Sequence, residues 1–180
     1  MLANVTVDGE PVATTRFMGG REYDVISGQA RQEVSEDILR RAMACDQMAL
    51  PSFAAGGPFP ARAGRFVGPV PQTATERAAI ATLYVAAMMA KSLDLVSSTG
   101  DIILDGGLAH NVALCATLAA LRPGQSLYRN TNAEGAAMGA AALAFRALGK
   151  TSVFPRDIDK VEAWELPDLA GSYARWLKRV

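Results

Sequence analysis

The sequence predicts an α/β fold with a mixed sheet flanked by helices. Residues 102–104 form a short apolar run that Gly106 and Gly107 interrupt, and a helical pattern of apolar residues follows over 109–121. This order is typical of a strand, a diglycine turn and a helix. A second short strand, 126–129, follows the helix, and the crossover rule makes the two strands parallel neighbours or near-neighbours.

The first elements of the chain are predicted to form a hairpin. Segments 2–7 and 12–18 read as strands, and Asp8-Gly9 supplies the turn between them. The sequence GGRE comes next and predicts a structural turn with a solvated ion pair. The alternative places Arg21 or Glu22 at a substrate cleft or an interdomain cleft.

A helix over 36–45 and a strand over 47–53 precede a long loop. Residues 54–73 contain four prolines and four glycines, which exclude a regular helix or a central strand. A loop of this length is usually functional or mobile. Arg62 and Arg65 within it either face solvent or meet an anionic ligand.

Three further helices are predicted. Thr75 is the expected N-cap of a long helix, and polar residues interrupt its apolar pattern, which favours a core helix over a membrane span. A helix over 133–148 carries Gly135 and Gly139 among alanines, so close packing or ligand binding is expected there. The amphipathic stretch 169–177 predicts a helix that docks on the domain.

Composition limits the class of function. The chain has 180 residues, of which 50% are hydrophobic, enough for one folded domain with a sizeable core. Lys+Arg and Asp+Glu are both 18, so no basic surplus points to nucleic acid or an anionic membrane as partner. The two cysteines indicate buried thiols in a reducing cytoplasm, and a single histidine, His110, argues against a His-based triad or a multi-histidine metal site.

The diglycine turn leaves two interpretations open. Glycine permits positive φ, and without Cβ the backbone can lie against a flat or anionic ligand. The helix that follows directs its N-terminal amides and positive dipole end to the same place, which favours a nucleotide. The alternative is a tight turn between strand and helix, as occurs in any α/β fold.

Four motifs, in order, resemble the C-terminal domain of the FGGY carbohydrate kinases. They are RFMGGRE, the stretch from LPSF to GGPFP with RFVG after it, ILDGGLAHN, and EGAAMGAAALA. The resemblance covers about residues 1–150 and implies the ribonuclease-H-like fold of the actin-like ATPases. Residues 151–180 are then expected to be a C-terminal extension with a docking helix.

The resemblance also implies which residues bind the nucleotide. Gly107, Leu108 and Asn111 would line the adenine and ribose site, and Gly106 would hold the turn. Glu134 and Gly135 would begin the helix that backs the nucleotide. His110 stands where the family is variable and receives no role.

In this family the catalytic aspartate and the N-terminal phosphate loop lie in the first domain. We therefore expect no catalytic residue in this chain, which resembles a second domain lacking its first strands and exposing a sheet edge. The complete kinase would use ATP and Mg²⁺, and the sugar would bind mostly through the other domain. The expected partners are that N-terminal kinase domain, ATP or ADP and a second copy of this chain, without nucleic acid or membrane.

Three functions compete at this point. The first is the nucleotide-binding half of an ATP-dependent kinase acting on a sugar or polyol. The second is a non-catalytic module of the same superfamily that binds a partner or regulates it. The third, a dinucleotide-binding domain, is disfavoured because the chain lacks G-x-G-x-x-G and the acidic residue expected about 20 positions later.

Overall fold

The structure is a computed structural model that describes residues 2–29, 32–130, 135–150 and 158–180. The helices described are α1 (Gly19–Ser27), α2 (Glu36–Ala44), α3 (Ala74–Leu95), α4 (Val112–Leu121), α5 (Gly135–Ala147) and α6 (Leu169–Arg179). The strands described are β1 (Leu2–Val5), β2 (Pro11–Thr14), β3 (Met48–Leu50), β4 (Arg65–Val67), β5 (Ile102–Leu104), β6 (Leu127–Asn130) and β7 (Ile158–Lys160). The α/β class is therefore confirmed.

The parallel strand pair predicted from the sequence is present. β5 and β6 pair in parallel, with Ile102 opposite Leu127 and Leu104 opposite Arg129, and β7 adds an antiparallel strand to β6. The hairpin β1–β2 and the pair β3–β4 form two further two-stranded sheets. β7 escaped prediction because three mostly polar residues carry no strand signal.

Helix α3 is the centre of the core. It packs against α1, α2 and α4, and an apolar window of 18 residues within it is 67% buried. Among the described residues it is the one helix long and apolar enough to cross a membrane, a test that core helices also pass. Its N-cap is Thr73 rather than Thr75: the Thr73 hydroxyl accepts from the Glu76 amide at 3.1 Å, and Glu76 Oε2 accepts from the Thr73 amide at 3.3 Å.

The predicted turn at GGRE is wrong, because these residues begin α1. Tyr23 and Ile26 lie on its buried face, and Gly28 ends the helix at φ 71°. Glu22 is fully buried instead of forming a solvated ion pair. The two glycines stand at the helix N-terminus, where their low helix propensity costs less than in the interior.

The proline-rich loop, residues 54–73, agrees only in part with its prediction. It forms no helix and no central strand, but its end forms β4, which pairs with β3 so that Ala49 lies opposite Phe66. The rings of Phe53 and Phe66 lie 5.6 Å apart, and Phe59 and Trp176 pack edge to face at 5.8 Å. Aromatic side chains therefore attach this loop to the core.

Helix α6 docks as predicted. The indole of Trp176 is buried, and its Nε1 donates to the carbonyl oxygen of Ala49 at 2.9 Å. Arg179 and Arg175 both bind the Asp46 carboxylate, at 2.7 and 3.1 Å. Leu177, at the end of the stretch 169–177 that was predicted to dock, is 36% exposed, because Trp176 and Leu169 occupy the buried face.

Candidate functional site

The diglycine corner lies directly after β5, at the carboxyl end of the parallel pair. Gly106 has φ 80° and ψ −167°, a conformation that side chains rarely adopt, so glycine is required there. Gly107 begins a 3-10 helix, Gly107–His110. A Cβ atom built on either glycine would meet no described atom within 4 Å. Among the described residues, none covers the backbone of the corner, so a ligand can approach it closely there.

Three elements meet at this corner. Asp105 follows β5 and Asn130 ends β6, and the Asn130 amide donates to Asp105 Oδ1 at 2.9 Å. A Cβ atom on Gly135, the first residue of α5, would lie 2.3 Å from Asp105 Oδ2. The structure thus places Gly135 beside the corner and explains why it is glycine.

Asn111 separates the 3-10 helix from α4. Its side-chain Oδ1 accepts from the Leu114 amide at 3.0 Å, so Asn111 is the N-cap of α4. The sequence had predicted one continuous helix from 109; the cap accounts for the break. Because the carboxamide oxygen serves as the cap, a ligand would meet the amide nitrogen, which is a donor.

Two further residues of the 3-10 helix, Leu108 and His110, differ in burial. Leu108 packs against the core, and its Cδ1 would lie 3.2 Å from a Cβ atom on Gly19 of α1. Leu108 therefore joins the corner to α1. His110 is exposed, in keeping with its lack of an assigned role. Glu134 lies outside the described residues, so its role stays a prediction.

The described residues at the corner offer neither a thiolate nucleophile nor a cluster of metal ligands. The Cys115 thiol, beneath the corner, contacts the carbonyl oxygen of Ala109 at 3.4 Å, and burial raises its pKa, so it is no thiolate nucleophile. Within 2–29, 32–130, 135–150 and 158–180, no group of three or more His, Cys, Asp or Glu residues could hold a metal ion. The diglycine corner can hold a ligand against its backbone amides.

Sequence reasoning missed the role of Asp105 and Asn130. The signal was available in part: Asp105 precedes the diglycine, and the parallel register sets it level with the last residue of the next strand. That register depends on which residues pair, and the short run 126–129 does not specify it.

Comparison with known proteins identifies the family. The family model described as "Carbohydrate kinase FGGY, C-terminal domain" matches residues 1–152. This chain belongs to the FGGY carbohydrate kinase family. The corner, α5 and the proline-rich loop all lie within the matched range of this FGGY domain, so the resemblance drawn from its motifs is confirmed.

A solved structure of a carbohydrate kinase extends the match. The crystal structure of a carbohydrate kinase from Novosphingobium aromaticivorans superposes with a TM-score of 0.80 at 31% sequence identity. The alignment covers 99% of this chain and 39% of that kinase, so this chain spans well under half of its relative's length. A comparison with curated proteins gives no match.

Proposed function

We propose that this chain is the nucleotide-binding part of a cytoplasmic, ATP-dependent carbohydrate kinase that phosphorylates a hydroxyl of a sugar or polyol. The observation that carries the proposal is the open diglycine corner at the carboxyl end of β5, in a chain of this family. In this proposal the mixed sheet and its helices have the ribonuclease-H-like fold of the actin-like ATPases.

Each predicted residue has a part in the binding of adenosine. Gly106 holds the turn, and Gly107 lets the purine or ribose lie against the backbone. The amide nitrogen of Asn111 would donate to the nucleoside while its oxygen caps α4. Gly135 and Glu134 would begin the helix behind the nucleotide, with Leu108 supporting the corner from the α1 side.

ATP supplies the phosphoryl group, and Mg²⁺ neutralises the charge that develops on it. The described residues fit the nucleoside better than the metal, since they hold no cluster of metal-binding side chains. We propose that the metal is held by the phosphates and by groups of the other kinase domain, which would also supply the carboxylate base.

The proposed partner is the N-terminal domain of the kinase. Ile103, in the middle of β5, is 60% exposed, although parallel strands are usually covered on both faces. Val5 of β1 is also exposed, and α5 is rich in alanine, exposes Leu143 and Phe145, and has no buried residue among those described. These exposed apolar residues support packing against another domain, and in the isolated chain they favour self-association.

Two measurements test the proposal. Calorimetric titration of the purified chain with ADP, ATP and NAD should show weak binding of ADP and ATP and none of NAD, because the phosphates would remain in solvent. A coupled ADP-release assay with Mg²⁺ over ketoses and polyols should show no turnover by this chain alone, and sizing in solution should show oligomers.

Three results would contradict the proposal, each in a different way. Binding of NAD would favour a dinucleotide-binding domain. Absence of binding to any nucleotide would favour a non-catalytic module that binds a partner chain. Sugar-dependent turnover by the 180-residue chain would mean that the base lies within it.

A further inference from the structure

Glu22, of the GGRE motif, lies inside the domain with no role in the proposed kinase site. It is fully buried, and its Oε2 accepts from the Tyr84 hydroxyl of α3 and from the Phe53 amide, the latter at 3.2 Å. Burial, followed by the hydrogen bond to Glu22, raises the pKa of Tyr84, so the phenol remains a donor. Glu22 thus joins α1, α3 and Phe53, the residue directly before the proline-rich loop.

The other carboxyl oxygen, Oε1, has no hydrogen-bond partner among the described residues. A buried polar atom without a partner is unfavourable, and an apolar side chain of similar length would avoid it. Glu22 differs from such a side chain in accepting two hydrogen bonds. One of them comes from the amide of Phe53, at the start of a loop.

Phe53 begins a compact loop, 53–64. Ser52 closes this loop, since its hydroxyl donates to the Phe59 carbonyl at 2.9 Å and its carbonyl accepts from the Gly64 amide at 2.7 Å. The Phe53 ring lies so close to Gly64 that a Cβ atom there would be 2.6 Å from it. The hydrogen bond to Glu22 therefore fixes Phe53, the residue whose ring packs against the other end of the loop at Gly64.

The same loop is linked to the diglycine corner through two side chains, Phe17 and Leu108. A Cβ atom on Gly57 would lie 3.1 Å from Phe17 Cβ, so the loop packs directly on Phe17. The Phe17 ring and Leu108 Cδ1 in turn both lie against Gly19, at 3.1 and 3.2 Å from a Cβ atom built there. Contacts thus run continuously from the loop to the 3-10 helix of the corner.

We propose that Glu22 is a positioning residue: it fixes loop 53–64 from inside the domain and, through Phe17 and Leu108, sets the geometry of the diglycine corner. The first half stands on the hydrogen bonds alone, and the second rests on the proposed nucleotide function. The positions of loop 53–64 and of the diglycine corner are then both determined by the buried Glu22.

The first half of the proposal, that Glu22 fixes loop 53–64, is tested by removing the hydrogen bonds of Glu22. The Tyr84 hydroxyl is removed at the same time, so that it is not left buried without a partner. The double variant Glu22→Met with Tyr84→Phe replaces both side chains by apolar ones of similar size, a change that often leaves global stability intact. Glu22→Gln retains an acceptor for Phe53 and Tyr84, and Val25→Met on the exposed face of α1 is the matched control. Hydrogen exchange of the Gly64 amide is measured by NMR.

Exchange of Gly64 in the double variant should be faster by at least about tenfold, corresponding to about 1.4 kcal/mol, while α3 amides keep their rates. Glu22→Gln and Val25→Met should remain close to wild type. Unchanged Gly64 exchange in the double variant would overturn the proposal. Equal acceleration of Gly64 and of the α3 amides would also overturn it, since the role of Glu22 would then be purely structural.

ADP titration of the same variants tests the link to the corner. The double variant should bind ADP at least about twofold more weakly, the low end of couplings carried through packed side chains, and Val25→Met should bind normally. Equal ADP affinity of the double variant and wild type would overturn this half. If wild type binds no ADP, the proposed nucleotide function fails, and the exchange rates still decide the role of Glu22.

Discussion

The carboxylate of Asp105 occupies the position that a side chain on Gly135 would need. A Cβ atom on Gly135 would lie 2.3 Å from Asp105 Oδ2, while Oδ1 accepts from Asn130 at 2.9 Å. The end of β5, the end of β6 and the start of α5 are therefore joined by one short side chain. The three elements form the corner only because the third begins with glycine.

Gly135→Ala and Gly139→Ala should have opposite effects on stability. A Cβ atom on Gly139 would meet no described atom within 4 Å, so alanine there should stabilise the chain by about 1 kcal/mol through helix propensity. Gly135→Ala must displace the exposed carboxylate of Asp105 and break its hydrogen bond to Asn130, at a cost of about 0.5–1.5 kcal/mol. Urea unfolding measures both. Asp105→Ala should relieve the cost in Gly135→Ala, and failure of that rescue would contradict the explanation.

Asn111→Asp should separate ligand binding from helix capping. Aspartate still accepts from the Leu114 amide and caps α4 but lacks the amide donor, so stability should be retained while ADP binding weakens by about 1–3 kcal/mol. Asn111→Ala should lose both, with a capping cost of about 1 kcal/mol. Calorimetry and urea unfolding are the measurements. Normal ADP affinity in Asn111→Asp would remove this residue from the nucleotide site.

The Asp46 ion pairs should make stability depend on pH. The hydrogen bond from Arg179, with a further one from Arg175, holds the pKa of Asp46 below its ordinary value of 3.8. A lowered pKa in the folded state stabilises the fold above pH 3.8, and this contribution is lost as pH falls below 3.8 through the folded-state pKa. Because the pair is partly exposed, the effect should be under about 1 kcal/mol.

Asp46→Asn is the variant that isolates this effect. Asp46 has φ 52°, a conformation that asparagine tolerates well, so the backbone should stay unstrained. The free energy of unfolding of wild type should fall more steeply with acid than that of Asp46→Asn. Parallel pH profiles would show that the ion pairs contribute nothing measurable.

Trp176→Phe should destabilise the domain more than Trp164→Phe. The buried Trp176 indole donates to the Ala49 carbonyl, and phenylalanine would remove this hydrogen bond, at a cost of about 0.5–1.5 kcal/mol besides the lost packing. Trp164 is only partly buried. Urea unfolding with equal losses in the two variants would contradict the importance of this hydrogen bond.

Elements marked by strong local patterns could be predicted. The strand predicted at 101–104, the diglycine, the helix to 121 and the parallel neighbour at 126–129 carry the periodicity of their final structures, and they were found nearly at their true bounds. The docking helix α6 is amphipathic and was predicted for the same reason.

Other features depended on tertiary contacts that local pattern does not contain. GGRE was interpreted as a turn because two glycines outweighed the helical spacing of Glu22, Tyr23 and Ile26, and packing against α3 decided the conformation. The carboxyl of Glu22 could be buried only because Tyr84, 62 positions later, supplies a donor. The Asp105 contact with Gly135 likewise required the strand register.

The hydrogen bond from Trp176 to Ala49 also sets an order of events during synthesis. The two residues are 127 positions apart. At about 5–20 residues per second, the ribosome makes Ala49 roughly 6–25 s before Trp176. Throughout that interval the apolar surface of β3 that α6 covers stays uncovered in the nascent chain, open to chaperones or to another unfinished copy, and it closes only when α6 has emerged.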